Sequence, residues 1–203
     1  MVVLVKSQEV GAMGTAPSST RDRMIDAALE QLQERGVDGM SFTEVLHRSG
    51  AARGAIYHHF PGGKAELVAT AVRRHAAQVA SAIAALPAES PAGVVRAFLE
   101  AVRPVVGHAR AGHSCALAAT AVGADGLDPS LRAVAGAGLR SWTDALAARL
   151  REAGLTAERS TAISSLLVAL LEGGQVLARA EDDTAAFEAA AGWVLDTLDA
   201  ASR

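Results

Sequence analysis

The 203-residue sequence contains a single cysteine, Cys115, so no disulfide bond can form within the chain. Proteins without disulfides are typical of reducing compartments. No run of apolar residues reaches the roughly 18 that a membrane-spanning helix requires. The apolar opening, residues 1–5, is shorter than the core of a secretory signal and is followed by Lys6. These absences predict a cytoplasmic protein that is not anchored in a membrane.

Aromatic residues and prolines are also scarce, at 3% of the chain and six positions, although half of all residues are apolar. Alanine is abundant and occurs together with leucine, arginine and glutamate. These residues favour helices, whereas strands are enriched in aromatic and β-branched residues. The composition therefore predicts an all-α fold, and the length allows one or two domains.

A large excess of basic charge is missing as well, because 19 Lys and Arg residues face 22 Asp and Glu residues. The first 75 residues carry nine basic and eight acidic side chains, and the remainder carries ten and fourteen. Any binding to nucleic acid must therefore depend on a local arrangement of side chains and not on bulk charge.

Residues 1–19 have no helical period and are rich in glycine, proline and serine towards their end. We expect a disordered leader here, with Met13 as a hypothetical alternative start that N-terminal mass spectrometry would test. A first helix begins at Ser19 or Thr20 as N-cap and stops at Gly36. A capping box then starts the second helix, in which the side chains of Ser41 and Glu44 each satisfy an orphan backbone amide.

The second helix stops at Gly50, and a third is expected over Ala52–Phe60, before the Pro-Gly-Gly turn at 61–63. Apolar spacing and breaks at glycine and proline predict six more helices. Their expected ranges are Lys64–Leu86, Ala92–Ala109, Cys115–Val122, Pro129–Ala153, Ala157–Ala180 and Thr184–Ala200. The pattern divides the chain into a leader at 1–19, a three-helix domain at 20–66 and a second helical domain at 67–203.

Residues 41–67, SFTEVLHRSGAARGAIYHHFPGGKAEL, carry the most informative pattern. Two short helices joined by a turn at 49–51 are typical of a helix-turn-helix, whose second helix enters the major groove of DNA. Arg53 can donate two hydrogen bonds to guanine, the small residues at 54–55 permit close approach, and 57–59 offer donors to phosphates. Ile56 and Phe60 are expected to face the core of the three-helix domain.

The YHHF stretch at 57–60, followed by Lys64 and Leu67, is similar to the recognition-helix signature of the TetR family of transcriptional regulators, and the turn at 61–64 resembles its LmrA/YxaF-type subgroup. Cys115, Trp142 and the segment 172–174 with Arg179 are also similar to that subgroup. The resemblance implies a TetR-like homodimer whose last two helices form a four-helix bundle. It also implies a small-molecule pocket in each C-terminal domain and, in most members, repression that the ligand relieves.

Carried over position by position, the resemblance implies contacts with double-stranded DNA. Contacts with bases or adjacent phosphates are expected from Arg53, Gly54, Ala55, Tyr57 and His58. Contacts with backbone phosphates are expected from Ser41, Thr43, His59 and Lys64, with Thr20 and Arg21 as weaker candidates. The chain has Ala52 and Ala55 where many members have Ser or Thr, so two hydroxyl contacts are missing and no relative's base preference can be copied.

The last two predicted helices both carry wide apolar faces, which favours a dimer interface, although an ordinary buried core is the alternative. The expected interface residues are Leu166, Leu170, Gly173, Gly174, Leu177, Phe187, Val194, Leu195 and Leu198. Candidate pocket residues are Phe98, Val102, Cys115, Leu117, Trp142, Leu167 and Glu172. Core packing explains the apolar ones equally, and an ion pair with an arginine explains Glu172.

No catalytic constellation is visible, and we expect no enzymatic activity, metal or cofactor. His58 and His59 point about 100° apart on a helix and lack further ligands. His108, His113 and Cys115 are compatible with a metal or redox site, or with solvated histidines beside a buried thiol. The sequence thus favours a ligand-responsive DNA-binding regulator over a helix-turn-helix protein without an effector or a helical enzyme. Ligand-promoted binding is the alternative to ligand-relieved repression.

Overall fold

The structure of the chain, a computed structural model, describes residues 19–201. The expected leader, apart from Ser19, and the alternative start at Met13 lie outside the described residues. Within residues 19–201 the chain forms nine α-helices, one short 3-10 turn and no strand. This confirms the all-α prediction and the expected number of helices.

The helices follow one another with short connections. They are α1 (Thr20–Gly39), α2 (Phe42–Ser49), α3 (Ala55–His59), α4 (Gly63–Ala84), α5 (Pro91–Ala109), α6 (Ala116–Gly123), α7 (Ser130–Glu152), α8 (Ala157–Glu181) and α9 (Ala185–Ala201). The 3-10 turn, Ala124–Gly126, lies between α6 and α7. From α4 onward, each helix begins and ends within two residues of the predicted positions, which is the usual variation at frayed ends.

Short polar side chains begin several of these helices. Ser19 Oγ accepts a hydrogen bond from the backbone N–H of Asp22 at 3.1 Å, so Ser19 is the N-cap of α1. Ser90 caps α5 and Thr156 caps α8 in the same way. Each cap satisfies a backbone donor that the first turn leaves unpaired.

Gly36 interrupts α1 instead of ending it. Its backbone adopts φ +68° and ψ −172°, a conformation that residues with side chains rarely adopt. The chain then makes a further turn to Gly39 before Met40 ends the helix. The predicted stop is therefore a break inside the element.

The third helix is shorter than predicted, because it begins at Ala55 and not at Ala52. Residues 52–54 form a turn that is closed by a hydrogen bond from the Ala55 N–H to the Ala52 carbonyl at 2.9 Å. The helix ends as expected, with Phe60 as its C-cap. Arg53 and Gly54 thus lie in the turn that leads into α3 and not on the helix itself.

The described residues form two compact units. The head unit comprises residues 19–76 and 114–138, and the C-terminal unit comprises residues 77–113 and 139–201. In the head unit, α1 packs against α2 and α6. Its large buried side chains include Met24, Ile25, Leu32, Val45, Ile56, Phe60, Leu67, Leu117 and Leu131.

The C-terminal unit is built on α5, α8 and α9, which pack against one another. Its large buried side chains include Phe98, Leu99, Val102, Leu146, Leu150, Leu167 and Phe187. Arg103 on α5 also forms an ion pair with Glu188 on α9 at 2.7 Å. Among residues 19–201, α8 is the one helix whose length and composition would also suit a membrane span. Its packing against α5 and α9 is equally typical of an apolar helix in a globular unit.

Candidate nucleic-acid interface

The turn between α2 and α3 depends on a glycine. Gly50 adopts φ +64°, in the left-handed region, and its N–H donates to the His47 carbonyl at 3.3 Å. The following N–H, of Ala51, donates to the Leu46 carbonyl at 3.1 Å. These bonds satisfy the last carbonyls of α2 and reverse the chain towards α3, as predicted for a helix that stops at Gly50.

Helix α3 has one face in the core and one face in solvent. Ile56 and Phe60 are fully buried, which confirms the orientation expected from the sequence. Tyr57 is 66% exposed and His58 is exposed beside it. A five-residue helix anchored by two apolar side chains thus presents its polar side chains outward, together with the exposed Arg53 and Gly54 of the preceding turn.

The exposed ring of Tyr57 has a neighbour on α2. Phe42, at the first position of α2, lies edge-on to Tyr57 with ring centroids 6.1 Å apart and an interplanar angle of 90°. Aromatic pairs favour this T-shaped arrangement. The contact restricts the Tyr57 ring on the outer surface of the head unit.

An arginine holds α2 against α1. Arg48 donates to both carboxylate oxygens of Glu34 at 2.8 Å, donates from Nε to Glu44 at 2.8 Å and lies 3.6 Å from Glu30. Hydrogen bonds to Glu34 and then Glu44 raise the pKa of the Arg48 guanidinium above its usual range. The bond from Arg48 in turn lowers the pKa of Glu44. A bidentate pair of this kind fixes orientation as well as distance.

Other arginines of the head unit also bind within it. Arg23 on α1 donates from Nε to the carbonyl of Ser49, the last residue of α2, at 2.9 Å. Arg74 on α4 forms ion pairs with Asp22 and Asp26 on α1. The guanidinium groups of these arginines are thus engaged in contacts within the head unit.

The capping box predicted at the start of α2 is only half formed. Ser41 Oγ accepts from the Glu44 N–H at 3.3 Å, as expected. The Glu44 carboxylate binds Arg48 instead of returning to Ser41, so this half of the prediction was wrong. The Ser41 N–H donates to Oε1 of Gln31 at 3.0 Å. Sequence analysis missed Gln31, because no local pattern marks a partner ten residues away.

All eleven side chains or backbone positions predicted to contact DNA lie in the head unit, and all are exposed or half-buried. They are Thr20, Arg21, Ser41, Thr43, Arg53, Gly54, Ala55, Tyr57, His58, His59 and Lys64. Thr20 and Arg21 take part in contacts within the unit. Thr20 Oγ1 accepts from Arg23 at 3.3 Å, and the Arg21 guanidinium lies 5.1 Å from the centre of the Phe60 ring.

The predicted pocket residues are divided between the two units. Phe98, Val102, Trp142 and Leu167 are buried in the C-terminal unit, where Glu172 is half-buried. Leu117 is buried and Cys115 half-buried in the head unit. No group of three or more His, Cys, Asp and Glu side chains in residues 19–201 is arranged to hold a metal ion.

The predicted dimer residues fall into two groups in the C-terminal unit. Gly174, Phe187, Val194 and Leu198 are buried within the unit itself. Leu166, Gly173 and Leu177 are exposed, and Leu170 and Leu195 are half-buried. Sequence analysis missed two further exposed apolar side chains, Val176 at 68% and Trp193 at 64%. The sequence shows that both residues lie on apolar helices, α8 and α9. It does not show which face of each helix packs within the chain.

A capped turn followed by a short helix with an exposed polar face, on a small helical unit, defines a helix-turn-helix DNA-binding protein. Two family profiles match the sequence. "Bacterial regulatory proteins, tetR family" covers residues 24–71, and "Transcriptional regulator LmrA/YxaF-like, C-terminal domain" covers residues 91–192. The chain therefore belongs to the TetR family of transcriptional regulators, with a C-terminal region of the LmrA/YxaF-like type. Regulators of this family bind DNA and form dimers.

Individual relatives agree with this assignment. An uncharacterized HTH-type transcriptional regulator of Mycobacterium tuberculosis is 32% identical over 168 residues, which cover 80% of this chain and 86% of the relative. The HTH-type transcriptional regulator LmrA of Bacillus subtilis is 27% identical over 171 residues, or 78% and 85% of the two chains. The crystal structure of a TetR transcriptional regulator from Legionella pneumophila has the same fold, with a TM-score of 0.79, 22% identity and coverage of 91% and 100%.

Proposed function

We propose that this chain is a ligand-responsive repressor that acts in the cytoplasm as a homodimer on a pseudo-palindromic operator. A small-molecule effector releases the protein from that operator. The regulated process is transcription, and the protein carries out no chemical conversion. The exposed face of α3 behind the Gly50 turn is the observation that carries this proposal.

In the proposed complex, α3 and the preceding turn enter the major groove. The Arg53 guanidinium donates two hydrogen bonds to a guanine, and the small residues Gly54 and Ala55 allow the backbone to approach base edges and thymine methyl groups. Tyr57, His58 and the other predicted phosphate donors fix the protein on the backbone of the duplex. Arg53, Gly54, Tyr57 and His58 are exposed, which supports this assignment.

The proposed dimer forms through the exposed apolar side chains of α8 and α9. Leu166, Val176, Leu177 and Trp193 are all exposed in the single chain. Gly173 lies among them on α8, and a Cβ built there would meet no atom within 4 Å. A small residue between larger apolar ones permits two helices to approach closely. Dimerisation would bury this apolar surface, which monomeric soluble proteins rarely leave in contact with water.

The effector is proposed to bind among the apolar side chains of the C-terminal unit, next to the half-buried Glu172. Helix α4 contributes residues to both compact units and is the proposed mechanical link. A ligand that binds one arrangement of α4 more tightly shifts the population towards it. Such a shift changes the distance between the two head units of the proposed dimer. To bind both half-sites, the head units must lie about 34 to 36 Å apart, which is one turn of DNA.

Selection from a random DNA pool, followed by footprinting, tests the proposal. The wild-type protein is expected to enrich a sequence with two-fold symmetry and to protect two half-sites separated by about one helical turn. Enrichment of an asymmetric site, or of no sequence at all, would contradict it. Maps of the DNA bound in the native genome would then indicate the regulated genes and the chemistry of the effector.

Two alternatives within DNA binding lead to different results. A helix-turn-helix dimer without an effector would show no stabilisation in a thermal-shift screen of small molecules. An effector present at 100 times its dissociation constant is expected to add about 2.7 kcal/mol to the free energy of unfolding. A ligand-activated regulator would instead give a stronger footprint in the presence of that effector. Turnover of a substrate that is lost on substitution of His58 or Cys115 would favour an enzyme.

A further inference from the structure

Gln31, on α1, is a polar side chain in the core of the head unit. Its exposed fraction is 0%, as is that of its apolar neighbour Leu32. A primary amide has two donors and an acceptor, and its burial is unfavourable unless these atoms form hydrogen bonds. The position therefore requires a specific polar partner.

That partner is the backbone of Ser41, the residue that caps α2. Gln31 Oε1 accepts from the Ser41 N–H at 3.0 Å, and Gln31 Nε2 donates to the Ser41 carbonyl at 3.4 Å. The same carbonyl accepts from the Val45 N–H at 3.1 Å, which is the first hydrogen bond of α2. One buried side chain thus binds both polar groups of the residue from which α2 starts.

The arrangement replaces the missing half of the capping box. The Glu44 carboxylate would otherwise accept from the Ser41 N–H, but it binds Arg48 at 2.8 Å. Without Gln31, the Ser41 N–H would lose its acceptor in this part-buried contact. A water molecule that took the place of this acceptor would not connect Ser41 to α1, so the start of α2 would be held less firmly.

The start of α2 is also the proposed phosphate site. Ser41 and Thr43 are both exposed there, at the amide-rich end of an eight-residue helix. Ser41 Oγ accepts from the Glu44 N–H, which leaves its hydroxyl proton able to donate to an anionic oxygen. The position of these hydroxyl groups depends on where the backbone of Ser41 is held.

We propose that Gln31 is a positioning residue for DNA binding, which holds the Ser41 end of α2 so that Ser41 and Thr43 meet a backbone phosphate. This inference rests on the proposed DNA-binding function. Gln31 itself does not touch DNA, because it is fully buried. Its contribution is to affinity and not to base choice, since phosphate contacts carry no sequence information.

The test compares wild type with Gln31→Met, which keeps the length of the side chain and removes both hydrogen bonds. The probes are the DNA that the wild type selects from a random pool and an unrelated duplex of equal length. We expect Gln31→Met to bind both about tenfold more weakly at 25 °C, after correction for the folded fraction. Leu131→Val, which alters another fully buried side chain of the head unit, is the control and should bind both with wild-type affinity.

A double-substitution cycle separates positioning from a general loss of structure. In a background of Ser41→Ala with Thr43→Val, the phosphate contact is already gone, so Gln31→Met should weaken binding by less than about twofold. If its effect remains tenfold in that background, Gln31 does not act through these residues and the inference is overturned.

Gln31→Glu provides a second readout that remains decisive if Gln31→Met fails to fold. The introduced carboxylate can accept from the Ser41 N–H but cannot donate to the Ser41 carbonyl until it is protonated, which burial favours. Affinity relative to wild type should therefore improve as the pH falls from about 8 to about 5.5. A pH-independent ratio would overturn the inference. Failure of the wild type to select any DNA would instead reject the proposed function.

Discussion

Gly174→Ala tests how closely α8 and α9 pack within the C-terminal unit. A Cβ at position 174 would lie 2.8 Å from Cδ2 and 3.3 Å from Cβ of Phe187, which is almost fully buried. The first distance is far below an ordinary carbon–carbon contact, and the enclosed ring has little room to move. Overpacking of this kind costs about 1–3 kcal/mol.

Replacing glycine with alanine inside a helix offsets part of that cost, because it stabilises the helix by about 0.5–1 kcal/mol. The expected net loss for Gly174→Ala is therefore about 0–2.5 kcal/mol, with a central value of about 1 kcal/mol that corresponds to a decrease in Tm of about 2–4 °C for a chain of this size. Thermal unfolding followed by circular dichroism measures this change. A Tm above that of wild type would refute the close contact between Gly174 and Phe187.

Gly173→Ala is the matched control at the adjacent position. A Cβ at 173 would meet no atom of the chain within 4 Å, so the substitution retains only the favourable helix term. We expect an unchanged or slightly higher Tm at high protein concentration. If Gly173 lies in the proposed dimer interface, the added methyl group should also weaken the dimer. Sedimentation experiments should then give a higher dimer dissociation constant for the variant than for wild type. Equal destabilisation by both substitutions at all concentrations would contradict the assignment of the two faces.

Three further predictions follow from the head and C-terminal units. Arg53→Ala should relax specificity at one base pair and reduce the free energy of DNA binding by about 1–3 kcal/mol. Lys64→Ala should instead weaken binding to all sequences and make the affinity less dependent on salt. Equal effects of the two substitutions on all sequences in competition assays would contradict a base contact by Arg53. Burial, followed by the charge of Arg74, lowers the pKa of His75 from 6.5 to about 4. The neutral form of His75 therefore contributes up to about 3 kcal/mol to the free energy of unfolding above pH 6.5, and this contribution is lost as the pH falls towards 4. The urea midpoint of the wild type should decrease as the pH falls through this range, and that of His75→Asn should change less. Trp193→Ala should shift the monomer–dimer equilibrium towards monomer in sedimentation, while far-UV circular dichroism stays unchanged.

Local chemistry made much of the fold predictable from sequence. Ser19, Ser41 and Gly50 act through hydrogen bonds to residues within five positions, so their roles are visible in a short window of sequence. The spacing of Ile56 and Phe60 likewise predicted which side of α3 is buried. These features depend on backbone geometry that each segment determines by itself.

Competition between distant groups was not predictable. Glu44 satisfies the capping-box pattern, but Arg48 binds it more favourably, and Gln31 binds Ser41 from another helix. Such choices depend on the packing of α2 against α1. A local pattern contains no information about that packing.

The apolar faces of α8 and α9 illustrate a second limit. Helical spacing identified apolar residues on both helices, but it does not distinguish side chains that pack within the chain from those left for a partner. Phe187 and Leu198 are buried in the unit, whereas Leu166 and Trp193 are exposed. The two groups became separable only when the positions of α5, α8 and α9 were known.

Methylation interference on the selected DNA tests the central claim most directly, because methyl groups at guanine N7 occupy the major groove and those at adenine N3 occupy the minor groove. If the exposed face of α3 enters the major groove from each of two heads, guanine N7 methylation should block binding at two symmetric positions about one helical turn apart. Interference confined to adenine N3, or to a single half of the site, would contradict the account.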